Sequence, residues 1–309
     1  HPHVGEASRK GLLIELDNHD QYKKDLEILT KQSVGVSHKS YEFNNHQFAL
    51  AVDAATPVSA YRSDLIDKIP NTYEEVLSLA EKKKVMWPIK PVDSVSSFNT
   101  IAANIGNPIN KNDQEFIGKN DGIFILEMMK RLADLNPREC LTMNPIETLE
   151  YMSTNDDIVY CPLLYGYSNY GRKNFRNSLI NFSNIPSFNQ DKNNCSGSQI
   201  GGTGLAISKT TKHLDVALEY TFWVASAECQ KDLYYYSGGQ PGNLEAWNDK
   251  SINTDCNNFF KDTLETLENA WLRPRYDGYM YYQNVAGTII NQYLSSDTSA
   301  EKAINEMNT

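Results

Sequence analysis

The stretch GGTGLAISKTTKH, Gly201 to His213, decides how the chain is organised. It places three glycines within four residues, then the apolar segment LAIS, then a lysine-bearing turn that leads into an amphipathic helix. Glycine permits positive φ angles and close backbone approach, which suits a chain that crosses between lobes or passes beside a ligand. The stretch therefore predicts a crossing, with LAIS entering a sheet and SKTTKH starting the helix packed on it.

These glycines do not match a phosphate-binding loop. A P-loop requires GxxxxGK[ST], but Ser208 stands before Lys209 where the motif needs glycine. A dinucleotide-binding GxGxxG would need a third glycine where Ile207 stands, and its glycines would follow a strand rather than precede one. Both phosphate-binding interpretations are therefore excluded.

Composition restricts the class of protein. The chain has 309 residues, enough for about two domains, and no apolar run approaches the roughly 18 residues of a membrane span. With 29 Lys and Arg against 39 Asp and Glu, the net charge is −10. This balance argues against nucleic acid as a partner, since phosphate backbones attract clustered Lys and Arg.

Predicted strands and helices alternate, which indicates an α/β fold. Pro57 separates two strands and marks another crossing, because proline removes a backbone donor. Capping boxes are predicted at Thr72 with Glu75 and at Thr298 with Glu301. We predict strands at 48–53, 58–62, 86–91, 157–165 and 179–186, and helices at 21–29, after 72, and at 94–105, 121–135, 146–153, 212–225, 258–270, 279–295 and 299–307.

Motifs for metals and catalysis are missing from the sequence. The five cysteines and six histidines show no zinc-site spacing, and GxSxG and HExxH do not occur. We therefore predict no cofactor, no metal and no enzyme activity, with mostly buried free thiols. One or two disulfides stay open as an alternative, because the sequence cannot pair these cysteines.

The chain is rich in tyrosine: it has 18, of which 11 lie within 160–170, 234–236 and 276–282. A tyrosine offers a flat apolar face and a polar handle, which suits the C–H face and the hydroxyls of a sugar ring. Core packing would also explain many of them. The pattern predicts that at least two tyrosines line a ligand cleft.

Several segments together resemble the extracellular solute-binding proteins of ABC importers, in the carbohydrate-binding group that includes maltose-binding protein. The resemblance covers nearly the whole chain and rests on order and spacing rather than on one motif. Its landmarks are GEASRKGLLIELD, HQFALAVDAATPVSAYRSDLI, PNTYEEVLSLA, DIVYCPLLYGYSNYGR, IGGTGLAISKTTKHLDVALEYTFWVASAECQ, GGQPGNLEAW and LRPRYDGYMYYQ.

The resemblance implies two α/β lobes joined by a hinge, which close over a ligand in the cleft between them. The first lobe would comprise 1–53 and 205–240, the second 57–203 and 243–309, with crossings near 54–57, 201–205 and 239–243. The first βαβ portion of lobe one would be absent from this sequence. The implied protein is a periplasmic or extracellular monomer, with a tethered lipoprotein as a variant, that delivers a carbohydrate to ABC permease subunits.

The resemblance also implies ligand-binding residues. Asp53 would accept sugar hydroxyls, Tyr165 and Tyr167 would stack, although the family often has Trp there, and Arg275 would donate. Asp53 as a turn cap, His1 as a frayed terminus and surface pairing of the arginines are the alternatives. The implied set is His1, His3, Asp53, Asp93, Tyr165, Tyr167, Asn169, Gly202, Thr203, Gln240, Arg273, Arg275 and Tyr276.

Three other interpretations stay open at this point. If Arg273 and Arg275 face the cleft, an acidic sugar becomes more favourable, since their forks of donors suit carboxylates. Clustered tyrosines with His and Asp could instead hold ferric iron or another metal. A glycoside-active enzyme would need two carboxylates roughly 5 to 9.5 Å apart, and Asp53 has no obvious partner.

Overall fold

A computed structural model describes residues 1–111 and 115–309. Its strands are β1 Glu42–Phe43, β2 His46–Gln47, β3 Ala49–Ala51, β4 Pro57–Tyr61, β5 Tyr160–Tyr165, β6 Asn181–Ser183 and β7 Gly204–Ala206. Its α-helices are α1 Val4–Arg9, α2 Lys23–Lys31, α3 Tyr73–Ala80, α4 Pro91–Asn104, α5 Lys119–Ala133, α6 Pro145–Thr154, α7 Leu214–Ala225, α8 Ala227–Cys229, α9 Leu244–Trp247, α10 Lys250–Asp255, α11 Phe259–Glu268, α12 Tyr279–Ser295 and α13 Ala300–Met307. Short 3₁₀ turns occur at Leu16–Asn18, Asp20–Tyr22, Lys39–Tyr41, Arg138–Leu141 and Ser168–Gly171, and a π-turn at Gln230–Tyr234.

The strands form separate antiparallel sheets. The order β5-β4-β6 makes a three-stranded sheet, in which Pro57 pairs with Tyr165 and Ala60 with Phe182. Strand β3 pairs with β7, with Leu50 opposite Leu205. The segment after the glycines therefore enters a sheet, as the sequence predicts, and α7 follows it.

Two hydrophobic cores lie beneath these sheets. The smaller core packs α2, β3 and α7 together and includes Leu29, Leu50, Leu218 and Phe222. The larger core surrounds the β4 sheet and the helices α3 to α6 and α10 to α13, and it contains Trp87, Phe98 and Tyr160. Strands with helices on two separate cores make an α/β protein of two lobes.

Three crossing segments run side by side between the two cores. The Asp53 and Thr203 backbones exchange hydrogen bonds of 3.1 and 3.2 Å. The Gly201 N–H donates to the Ala55 carbonyl at 2.7 Å, and the Gly242 N–H donates to the Val52 carbonyl at 3.2 Å. These bonds tie the first crossing to the other two.

Most predicted elements are confirmed, and three predictions are wrong. Residues 86–91 do not form a strand; only Val85 makes an isolated bridge, because Pro91 starts α4 directly. The N-cap of α13 is Ser299 rather than Thr298, since its side chain accepts the Lys302 N–H. Thr72 caps α3, but the Glu75 carboxylate returns to the N–H of Asn71 instead of Thr72. Helices α1, α9 and α10 were not predicted.

The structure answers two further points from the sequence. Cys140, Cys161, Cys195, Cys229 and Cys256 are all buried free thiols. Within the described part of the chain, the helices are too short or too polar to cross a bilayer.

The close approach at Gly202 predicts that alanine substitutions at Gly202 and Gly238 lower the free energy of unfolding by different amounts. Gly202 and Gly238 have φ angles of +97° and +94°, but a Cβ on Gly202 would overlap the Asp53 carbonyl, whereas Gly238 has open space among the described residues. We expect Gly238→Ala to lower the free energy of unfolding by about 1 kcal/mol from its left-handed backbone alone, and Gly202→Ala to lose roughly 1–3 kcal/mol more from overpacking. Urea unfolding measures both, and equal losses would contradict the close approach.

Candidate ligand cleft

A cavity of about 370 Å³ lies where the crossings meet the loop after β5. Its walls come from all three crossings and from that loop, so residues distant in sequence meet there. The residues from our implied set that line it are Asp53, Tyr165, Tyr167, Asn169, Gly202, Thr203 and Gln240. Larger hollows of about 580 and 660 Å³ open elsewhere, but residues of the second-lobe ranges alone line them.

The side chain of Gln240 fastens two walls of this cavity together. Its Nε2 donates to the Ala54 carbonyl at 3.3 Å on the first crossing and to the Gly166 carbonyl at 3.2 Å on the loop after β5. Its Oε1 accepts the Ser168 N–H at 3.1 Å. Gln240 therefore positions the walls, and its amide is already engaged before any ligand arrives.

Asp53 supplies a carboxylate at the centre of the crossings. Burial raises the pKa of this carboxyl to about 6, and a hydrogen bond from the Gln240 backbone N–H opposes the rise. A partly desolvated carboxylate is a strong acceptor for hydroxyl donors, because little water competes for its oxygens. The group can therefore accept hydrogen bonds from a hydroxylated ligand near neutral pH.

Tyr165 and Tyr167 differ in how they are held. The Tyr165 ring packs where a Cβ on Gly201 would stand, and its hydroxyl accepts a 3.1 Å bond from the Gln199 amide. Tyr167 is 40% exposed at the cavity mouth. Tyr165 thus forms a fixed wall, and Tyr167 presents a free aromatic face on which a sugar ring could stack.

Arg275 does not line this cavity, and it bonds instead to the backbone of residues 39–42. Its Nη1 donates to the carbonyls of Lys39 at 2.9 Å, Ser40 at 3.2 Å and Glu42. Arg9 forms an ion pair with the neighbouring Asp277. The Nη1 group of the guanidinium predicted to donate to ligand is therefore engaged by the backbone of residues 39–42.

The other residues of the implied set also lie outside the cavity lining. His3 is exposed at the start of α1, and Tyr276 is 44% exposed, with its hydroxyl accepting a bond from Asn110. Arg273 donates to His1 at 3.1 Å and to Gln283 at 2.8 Å. Asp93 is buried in the first turn of α4, where burial raises the pKa of its carboxyl to about 7.

Several lining residues were missed from the sequence. Ala55, Gly166, Ser168, Gly238 and Gly239 complete the cavity wall. Ser168 and the paired glycines stand within segments that the sequence already marks as a cleft strand and a crossing. The sequence does not show which backbone groups face the cavity, because small residues carry little information about their orientation.

Comparison with known proteins decides the family. The family model of the bacterial extracellular solute-binding proteins matches residues 1–260. The chain belongs to this family. It is a solute-binding protein of two α/β lobes, and the cavity at the crossings lies where such lobes meet.

Solved structures share the fold at low sequence identity. Maltose-bound MalE3 of T. maritima superposes with a TM-score of 0.81 at 17% identity, covering 98% of this chain and 80% of that chain. A ribitol complex of a solute-binding protein from Agrobacterium radiobacter gives 0.78 at 18%, covering 99% and 81%. A tagatose complex from Thermotoga lettingae gives 0.79 at 14%, covering 99% and 81%.

The pKa of Asp53 predicts how its replacement changes stability with pH. The carboxyl binds its proton more tightly when folded than at its ordinary pKa of 3.8, so its ionisation destabilises the folded protein as pH rises from about 4 through about 6. We expect Asp53→Asn to raise the melting temperature of the ligand-free protein at pH 8, with the gain disappearing at pH 4. Differential scanning calorimetry across that range measures the gain.

Asp249 provides a matched control of opposite sign. Hydrogen bonds from Ser251 and from the Ile252 N–H lower the pKa of this carboxyl, which caps α10. Asp249→Ala should therefore lower the melting temperature at pH 8. If Asp53→Asn also lowered the melting temperature at pH 8, burial would not destabilise the ionised Asp53 carboxyl as we infer.

Proposed function

We propose that this protein is the substrate-binding component of an ABC importer that captures an uncharged sugar or oligosaccharide between its lobes. The observation that carries the proposal is the cavity itself. It combines an exposed tyrosine face at Tyr167, a desolvated carboxylate at Asp53 and the amide of Asn169 at the junction of the crossings. Aromatic stacking with hydroxyl acceptors is how a protein surface recognises a sugar ring.

The charge around the cleft favours an uncharged ligand. Asp53 and Asp93 both carry carboxyls whose pKa is raised by burial, so a second anion would add repulsion and desolvation. Arg275 is engaged with the carbonyls of Lys39 and Ser40, and Arg273 is bonded to His1 and Gln283. This balance supports a neutral sugar over the acidic one.

The proteins of similar fold support the same class of ligand. Their structures hold maltose in the T. maritima protein, ribitol in the A. radiobacter protein and tagatose in the T. lettingae protein. These ligands share hydroxyl groups and the lack of charge. We extend that common chemistry, rather than any one of these sugars, to this chain.

The remaining parts of the proposal follow from the family. We propose that 1–53 with 205–240 moves as one lobe and 57–203 with 243–309 as the other, and that the closed form docks on permease subunits. The protein would act outside the cytoplasmic membrane as a monomer, free or tethered as a lipoprotein, without catalysis. The smaller core lies wholly within the first of these lobe ranges, which supports the division.

A sugar panel tests the proposed function directly. We expect at least one of maltose, maltotetraose, ribitol and tagatose to raise the melting temperature, because a ligand at 100 times its Kd stabilises by about 2.7 kcal/mol. Thermal shift measures the rise, and calorimetric titration gives the Kd. A visible absorbance band on adding ferric iron would favour the metal alternative, and hydrolysis of a glycoside would favour the enzyme.

Tyr167 is expected to contribute to binding without contributing to folding. Tyr167→Ala should weaken the Kd for the bound sugar by roughly 10-fold, since a stacked aromatic contact contributes about 0.5–1.5 kcal/mol beyond its buried area. Its melting temperature without sugar should change little, because the ring is half exposed. The matched control is Tyr281→Ala, whose ring is 78% exposed on α12, and an equal loss of affinity there would contradict the stacking role.

A further inference from the structure

The loop that carries Tyr167 and Asn169 is held at both ends by residues 235–240. This cavity loop, residues 166–172, follows β5 and supplies four of the residues that line the cavity. The side chain of Gln240 holds the start of the loop through one carbonyl and one N–H of its backbone. The orientation of the two ligand-facing side chains therefore depends also on what holds the end of the loop.

Arg172 fastens the end of the cavity loop to Tyr235. Its Nη2 donates to the Tyr235 carbonyl at 3.0 Å, and its Nε donates to the Tyr235 hydroxyl at 3.2 Å. The guanidinium carbon also lies 4.2 Å from the centroid of the Tyr235 ring. Asp255 completes the contact, since its carboxylate accepts the Tyr235 hydroxyl at 2.8 Å and pairs with Arg172 Nε at 3.1 Å. Charge-assisted hydrogen bonds and a cation–π contact therefore act on the same side chain.

Tyr235 is well placed to serve as a fixed point. It is fully buried in the larger core, whereas Tyr234 before it packs against the smaller core. The π-turn Gln230–Tyr234 ends between these two residues, and the Tyr235 carbonyl also accepts the Gly238 N–H at 2.9 Å. A fully buried ring in a close-packed core has little room to move. The atoms that Arg172 contacts are therefore held in place before Arg172 binds them.

We propose that Arg172 is a positioning residue for sugar binding, which fixes the cavity loop so that Tyr167 and Asn169 are held ready for the ligand. Arg172 does not itself line the cavity, so it acts through these two residues. The inference rests on the proposed function and extends it. Side chains that contact a ligand bind it more tightly when neighbouring contacts hold them in advance, because less conformational freedom is lost on binding.

Arg176 offers a matched comparison four residues further along the chain. Its guanidinium carbon lies 4.3 Å from the centroid of the Phe175 ring, and its Nε donates to both carboxylate oxygens of Glu150 at 2.8 Å. Arg176 thus also contacts a ring and a carboxylate, but Glu150 belongs to α6 and not to residues 235–240. Comparing the two arginines separates positioning of the cavity loop from the general contribution of such a contact to folding.

The test weakens the contact between Arg172 and Tyr235 in two ways in the full chain. Arg172→Gln removes the guanidinium. Tyr235→Phe keeps the buried ring and removes only the hydroxyl that joins Arg172 to Asp255, which guards against a variant that fails to fold. The control is Arg176→Gln. Affinity is measured by calorimetry with maltose, maltotetraose, ribitol and tagatose, and hydrogen exchange of the backbone is measured by mass spectrometry without sugar.

The two arginine variants should differ in both measurements. Arg172→Gln should weaken sugar binding about 3- to 10-fold and speed hydrogen exchange in peptides that span 166–172, because the end of the loop is released. Tyr235→Phe should change both in the same direction by less, since it keeps the ring contact and the bond to the carbonyl. Arg176→Gln should keep the wild-type affinity and the wild-type exchange of residues 166–172.

A double-mutant cycle with Tyr167→Ala distinguishes positioning from a merely structural role. If Arg172 acts through the Tyr167 ring, Arg172→Gln should weaken affinity less in the Tyr167→Ala background than in the wild-type protein, because the ring that it positions is already gone. General damage to the fold would weaken affinity by the same factor in both backgrounds.

Each contrary result has its own meaning. Wild-type affinity in Arg172→Gln, or the same loss in Arg176→Gln, would overturn the positioning role and leave the proposed function standing. Equal losses in the two backgrounds of the cycle would also overturn it. Failure of every sugar to bind the wild-type protein would overturn the proposed function and, with it, the role of Arg172 in sugar binding.

Discussion

The close contact between the backbones at Asp53 and Gly202 is the constraint on which the rest of the structure depends. The two crossings exchange hydrogen bonds there, and the third crossing bonds to Ala54 through the Gln240 backbone. With no Cβ at position 202, the Asp53 carbonyl can lie against the second crossing. Asp53 also lines the cavity, so the backbone contact between the crossings and the cavity wall share one residue.

Local signals in the sequence predicted most of the helices and strands, and the implied set includes seven of the residues that line the cavity. The glycines at 201–204 identify a crossing because their conformational role is local, whereas Asp53 was implied by the resemblance to the family. The Arg275 assignment could not be tested by such signals. Its guanidinium binds carbonyls of residues 39–42. Such a long-range contact with backbone atoms cannot be predicted from the types of side chain at those positions.

The two lobes are built unequally around the cleft. The larger core holds helices α4 and α12, whereas the smaller core holds β3 and α7. Rigid secondary structure positions polar groups more precisely than loops do. The polar groups of the cavity wall come mainly from the crossings and the loop after β5, so their positions depend on the hydrogen bonds between these segments.

The hydrogen bonds of Arg275 do not depend on the side chains of the residues that accept them. Because its guanidinium reads main-chain carbonyls, Lys39, Ser40 and Glu42 can each be exchanged during evolution while the bonds persist. Position 275 has less freedom, because only a long cationic side chain brings more than one N–H donor to these carbonyls. We therefore expect residues 39–42 to vary more among related sequences than Arg275, which bonds to their carbonyls.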